Sequence, residues 1–345
     1  MRLLVVTNMY PGWRKPNFGI FVADRVDAYR SLGADVEVVA NTDPRKGIRV
    51  AVKYLSLLLR AVWAAATFRP DVVEGHYLWP TGIVTAAAAA VARAPYVLYA
   101  HGSDIPDATA PVLYRWVVRR AAEIHTNSPD TAERLRRAVP DVGSVEVLPP
   151  GVDLDLFEPV GEPEPGTVVY VGDLVPHKGV DVLIRALTRL DETVRLVVVG
   201  DGPQAPELRR LADELGVTDR VLWVGAVDHT DVPRWLSRGA VVAVPSRRDA
   251  LGQVAIEALA CGRPVVVSDV GGLAAIPTPE CGEAVAADDP GVLAEAIRRW
   301  LHLRRPTDVG DAARRRAGEH EREAVASRAL ERHRRLAAET RRSLS

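Results

Sequence analysis

At 345 residues the chain is too long for one ordinary core and suits two domains of about 150 residues each. Its 44 Lys and Arg stand against 45 Asp and Glu, so no whole-molecule field favours nucleic acid, and nucleic acid is not expected as a partner. Two cysteines, Cys261 and Cys281, with no CxxC pair, exclude a thiolate zinc site and a disulfide framework and fit a reducing cytoplasm.

Short β-rich runs alternate with helical patterns from the start. RLLVVTN reads as a first strand rather than a signal peptide. FGIFVADRVDAYRSL places Phe18, Val22, Val26 and Tyr29 on one helical face with Gly33 as a stop, and ADVEVVA follows as a second strand, which makes a βαβ unit. YLSLLLRAVWAAATF (54–68), interrupted by Arg60, and IVTAAAAAVA (83–92), within the alanine-rich 81–92, both fall short of about 20 apolar residues, so neither is expected to span a bilayer. The first is read as a helix covering a sheet. With Arg49, Lys53 and Arg69 around it, it also suits an anionic membrane surface, so a peripheral contact at the inner face of the membrane stays open. DVVEGHY (71–77), PYVLYAHG (95–102), a helix over 111–122 and EIHTNS (123–128) continue the alternation, and EVLPPGV follows.

The Pro- and Gly-rich stretch 149–167 has neither period and reads as a linker. A second series then runs TVVYVGDL, helix 179–190, VRLVVVGDG, helix 205–215, RVLWVGAV, helix 231–238, AVVAVPS, helix 252–261 and PVVVSD. Val-rich strands with no polar face are what a helix-covered parallel sheet requires. The expected fold is α/β, two doubly wound Rossmann-like domains facing a cleft, with ligands at the carboxyl ends of the strands. Domain limits are set at 1–160 and 161–310. Residues 311–345, ten arginines against six acids, are read as one amphipathic helix docked on the body, with a lipid-surface contact as the lesser reading.

Within RRDALGQVAIEALACGRPVVVSD, Asp249 precedes Glu257 by eight positions across a helix that starts near Gly252. Unpaired amides and a positive dipole end make such a helix start a seat for phosphate. Glu257, a turn and a half in, tilts back toward that end, where its carboxylate can accept from a ribose diol. The plainer readings are that Asp249 caps a turn and that Glu257 is a solvated helix residue. Asp153 and Asp155 lie in the linker and are read as a turn rather than a metal-binding DxD. GDGP (200–203) lacks GxGxxG and is a weak turn signal. No metal ligand and no cofactor is assigned.

The span PSRRDALGQVAIEALACGRPVVVSDVGG resembles the donor-site signature of the retaining family-4 (group 1) glycosyltransferases, which usually reads PS-x-x-E-G-F-G-x-x-x-x-E-A-x-A-x-G-x-P-V-V with a later GG. GDLVPHKGVDVLIRAL, VVVGDGP, PPGVDLDLF and YAHGSD extend the match in the family's order over about residues 1–300. The resemblance implies the two-domain GT-B fold and metal-independent retaining transfer of a sugar from a nucleotide-sugar donor to a hydroxyl acceptor. It also implies roles residue by residue. Glu257 would hold the ribose, Asp249 would face the transferred sugar, and Lys178 would neutralise the diphosphate with amides near Leu251, Gly252 and Gln253. His101 would sit on the acceptor side near the reacting sugar, and Gly19 would let the backbone approach the ligand.

Three positions depart from the family pattern. Asp249 is one methylene shorter than the usual glutamate, Asp173 replaces a phosphate-binding arginine, and Ala275 stands where a glutamate often follows the GG pair. Arg247 or Arg248 is the expected substitute for the lost arginine. His101 alone also fits a strand-end histidine satisfied by backbone, and Lys178 a helix cap. Two other functions remain on the same residues: a nucleotide-sugar epimerase needing no acceptor, and a catalytically silent nucleotide-sugar-binding protein, the latter suggested by Asp173 and Ala275.

Overall fold

Valine and leucine on both faces of most strands force a sheet covered on both sides, and the chain builds two of them. The structure, a computed structural model, describes residues 1–12, 18–42, 49–106, 110–302 and 306–344. It divides into two units, residues 1–151 with 322–345, and residues 152–321.

In the first unit six parallel strands, β1 (Arg2–Thr7), β2 (Asp35–Ala40), β3 (Val72–His76), β4 (Tyr96–Ala100), β5 (Glu123–Thr126) and β6 (Val145–Val147), lie in the order β2-β1-β3-β4-β5-β6. The helices are α1 (Ile20–Ser31), α2 (Arg49–Phe68), α3 (Thr81–Ala92), α4 (Val112–Arg120) and α5 (Pro129–Ala138). Leu4, Val6, Val73 and Leu98 pack one sheet face against Leu57 and Ala61 of α2, Val84 of α3, Val117 of α4 and Leu135 of α5. Leu3, Val5, Val72 and Val97 pack the other face against Val22, Val26 and Tyr29 of α1, the helical face expected from their spacing. The chain changes direction across the sheet between β1 and β3, the switch point where such sheets bind ligands.

The second unit has strands β7 (Glu164–Val171), β8 (Arg195–Val199), β9 (Val221–Gly225), β10 (Gly239–Val244), β11 (Val265–Ser268) and β12 (Gly282–Val285), in the order β12-β11-β10-β7-β8-β9. Helices α6 (Val180–Leu187), α7 (Ala205–Glu214) and α10 (Pro290–Leu301) cover Val168, Leu196, Val198 and Val241. On the opposite face α8 (Val232–Arg238), α9 (Gln253–Ala260) and α11 (Pro306–Gly318) cover Val169, Val197, Val242 and Val267. Here the switch point falls between β7 and β10.

Two expectations on organisation need correction. The boundary lies at 151/152 rather than 160/161, and 311–345 is not one helix. Helix α11 ends at Gly318, and α12 (Arg322–Leu344) starts after a break in which Glu321 bridges to Val152, whose amide donates to the His320 carbonyl at 2.8 Å. The arginine-rich amphipathic period continues through both helices and conceals this break. Helix α11 lays Ala312, Ala313 and Ala317 on the second unit, whereas α12 brings Ala326, Ala329 and Leu330 to the first.

Candidate active site

The loops after β7 and β10 meet at the switch point of the second unit, where the positive end of α9 also opens. Gly252 precedes α9 with φ 80°, and a β-carbon there would stand 2.3 Å from Leu273 Cδ1, so both backbone and packing require glycine. Lys178 ends a single 3-10 turn, Pro176–Lys178, after β7. Its Nζ donates to Asp249 Oδ2 at 2.8 Å. Asp249 Oδ1 accepts from the amides of Leu251 at 3.2 Å and Gly252 at 2.8 Å. One carboxylate thus bridges an ammonium and the start of a helix, the position an anion would take. Burial raises the Asp249 carboxyl, but Lys178 and the two amides outweigh it and hold it below the usual range.

The turn-cap reading of Asp249 is therefore what the geometry displays, and the Leu251 and Gly252 amides expected to assist phosphate point at this side chain. Gln253 opens the helix, and Glu257 on it is 6% exposed, which sets aside the solvated reading. Arg247 does not replace the missing phosphate cation. Its guanidinium clasps Asp181 at 2.8 and 2.7 Å and reaches Asp288 Oδ1 at 2.6 Å and the Pro176 carbonyl at 2.6 Å, which consumes most of its donors on the protein itself. Arg248 is exposed, and among the described residues its side chain has no hydrogen bond or ion pair. Asp173 and Ala275 are also exposed. Asp153 Oδ1 accepts from the amides of Asp155 and Leu156, a turn as expected.

In the first unit the switch point gathers Gly19, His76 and His101 at the carboxyl ends of β1, β3 and β4. Gly19 caps α1 with φ 74°, and a β-carbon there would lie 2.7 Å from the Met9 backbone. The close approach that demands glycine is to the chain's own loop. His101 sits among the rings of Phe21, Tyr77, Tyr99 and His76, with centroids 4.6 to 5.3 Å away. Its Nε2 is 3.2 Å from His76 Nδ1, and His76 Nε2 is 2.9 Å from Glu74 Oε1.

The protonation of this row follows from its end. Burial raises the Glu74 carboxyl, yet His76, His333 and Arg25 hold it far below its ordinary value, so it only accepts. Burial lowers His76, and burial with His76 and Arg25 lowers His101 well below the imidazole range, so both rings are neutral at pH 7. His76 then donates from Nε2 to Glu74, His101 donates from Nε2 to His76, and the lone pair of His101 is left on Nδ1. Sequence reading singled out His101 but not Glu74 or His76. The available signal was EGH in DVVEGHY, two polar residues on one face of an otherwise valine strand.

Two family models match the chain, "Glycosyl transferases group 1" over residues 154–322 and "Glycosyl transferase 4-like domain" over residues 5–151. Among curated proteins it resembles the D-inositol 3-phosphate glycosyltransferase of Mycobacterium leprae, 37% identical over 246 residues, 63% of this chain and 56% of that protein. The protein of the same name from Xylanimonas cellulosilytica is 35% identical over 239 residues, 60% and 57% of the two chains. The chain thus spans little more than half the length of these relatives. Among solved structures, a sucrose-phosphate synthase from Thermosynechococcus elongatus superposes with TM-score 0.76 at 26% identity, over 98% of this chain and 99% of that one. HepE of Anabaena, solved with UDP and glucose, superposes with TM-score 0.75 at 21% identity over 96% and 98%, which bears on fold alone.

Proposed function

The chain belongs to the group 1 glycosyltransferases and has their GT-B fold, and on that premise we propose that it transfers a sugar from a nucleoside-diphosphate sugar to a hydroxyl acceptor. The observation that carries the reading is the Lys178, Asp249 and α9 arrangement at the second switch point, an ammonium beside a helix start with a buried glutamate on that helix.

In this reading the diphosphate takes Lys178 from Asp249 Oδ2. Asp249 keeps its amide bonds through Oδ1 and turns Oδ2 to a hydroxyl of the sugar. Glu257 accepts from the ribose hydroxyls. As the acceptor oxygen bonds to the anomeric carbon, the bond from that carbon to the phosphate oxygen breaks, and the leaving phosphate takes the acceptor proton on the same face. Configuration is retained. The charge growing on the phosphate is met by Lys178 and the α9 dipole, which act electrostatically and need no metal at the diphosphate. His101, with its bare Nδ1, suits a hydroxyl donor on the acceptor side. The enzyme would work in the cytoplasm, at the inner face of a membrane when α2 engages lipid.

The test is transfer by the purified chain in chelator, from UDP-, GDP- and ADP-sugars to a hydroxyl panel that includes D-inositol 3-phosphate, the acceptor in the relatives' names. Expected are one preferred donor and a product with the donor's anomeric configuration. Glu257→Gln should weaken nucleoside diphosphate binding about tenfold, the value of one hydrogen bond to a charged acceptor. Sugar conversion without acceptor, or donor binding with no transfer across the panel, would contradict the reading.

A further inference from the structure

Two buried histidines of the first unit, grouped with Glu74, have no part in transfer. Glu74 on β3, His125 on β5 and His333 on α12 converge on the sheet face beneath α1 and α12, and their ligand atoms lie within 4.8 Å of one another. Both histidines are 0% exposed. Among the described residues His125 Nδ1 and both ring nitrogens of His333 have no hydrogen-bond partner, an expense buried networks ordinarily avoid. Yet His333 Nε2 is 3.3 Å from Glu74 Oε2. The two atoms are at contact distance but not aligned as donor and acceptor. Two ligands of one tetrahedral ion, with bonds of about 2.0 to 2.2 Å, stand roughly 3.3 to 3.5 Å apart.

We propose that Glu74, His125 and His333 form a buried binding site for one divalent cation of the zinc type, which fastens α12 to the sheet of the first unit. Two imidazole nitrogens and one carboxylate oxygen suit zinc rather than calcium or magnesium, which prefer oxygen alone. The surroundings are built as metal sites are. His125 Nε2 lies 2.6 Å from Glu123 Oε1, and Glu123 is clasped by Arg332 at 2.7 and 2.7 Å. Donation from Nε2 to that carboxylate leaves the Nδ1 lone pair facing the cluster, the carboxylate-histidine-metal order. Glu74 is fixed by His76 at 2.9 Å on Oε1 and by the Tyr29 hydroxyl at 2.9 Å on Oε2. The guanidiniums of Arg25 and Arg332 also lie near, set against Glu74, Glu123 and Glu146. Arg25 is engaged with Tyr99 and the Leu148 and Pro149 carbonyls, and Arg332 with Glu123 and Glu146. Sequence gives no hint of the trio, because its members come from two strands and the final helix.

The chain, stripped with chelator, is titrated with zinc and followed by metal analysis and thermal unfolding. One tight equivalent and a higher Tm are expected. His333→Gln and His125→Gln should each abolish the tight equivalent and the Tm rise, whereas His302→Gln on the second unit keeps both. Glu123→Gln should weaken zinc binding about tenfold. Because the two cluster variants can fail to fold, cobalt is loaded into the unaltered protein as a second measurement, and the visible band of a tetrahedral ion with nitrogen and oxygen ligands is expected. No tight equivalent in the unaltered chain, an octahedral cobalt spectrum, or a Tm rise that survives in folded His333→Gln would overturn the proposal.

Discussion

Asp249 and Lys178 illustrate how one residue pair sets both a rest geometry and its pH dependence. The Asp249 carboxyl is held below its ordinary value, so the pair's stabilisation is present above about pH 4 and is lost as pH falls below it. In Lys178→Ala the carboxylate stays largely buried without its cation, and burial then raises its pKa. That variant should be less stable at pH 7 by about 1–2 kcal/mol, a value discounted because Lys178 is partly exposed. The deficit should shrink as pH falls from about 5 to 3, as the orphaned carboxyl protonates. Denaturant unfolding of both proteins at pH 7 and pH 4 measures this, and a deficit that grows toward acid would contradict the pairing. Asp249 and Glu257 were visible in the sequence because a helix start and its acids are local, whereas Lys178, 71 positions away from Asp249, was indicated only by the family resemblance. The carboxylate's choice of Leu251 and Gly252 as partners was not, nor the diversion of Arg247 to Asp181 and Asp288, because these depend on which loops the sheet brings together.

At the scale of elements, local period identifies helices but not what covers them. Helix α2 buries Leu57, Ala61, Ala64 and Ala65 in the first unit and leaves Val52, Leu55, Leu59 and Trp63 exposed, Trp63 at 67%. By length and composition it could also cross a bilayer, yet its packed face belongs to the sheet. The exposed residues recur at helical spacing and lie near Lys53, which supports contact with an anionic membrane surface. Cosedimentation with vesicles containing phosphatidylglycerol should capture the protein, and Leu59→Ser with Trp63→Ser should reduce capture at least fivefold with folding intact. Equal capture of both proteins would exclude α2 as the contact. The same reasoning explains the missed break at 319–321. The amphipathic pattern of α11 and α12 is continuous, while the packing partners change from α9 to α1.

For the whole molecule, two parallel sheets of different strand order each have a switch point, and composition with alternation sufficed to anticipate the two helix-covered sheets, though not their strand orders. The return of α12 to the first unit was beyond that reading, because it is decided by tertiary packing of alanines and by the buried row Glu74, His125 and His333. The central claim is that a nucleoside diphosphate is held where α9 begins. An experimental structure of the full chain with the diphosphate it binds most tightly tests this most directly. The account predicts phosphate oxygens within hydrogen-bond distance of Lys178 Nζ and of amides at the start of α9, with the ribose on Glu257 and the bond from Lys178 to Asp249 broken. A nucleotide bound elsewhere, with the bond from Lys178 to Asp249 intact, would contradict it.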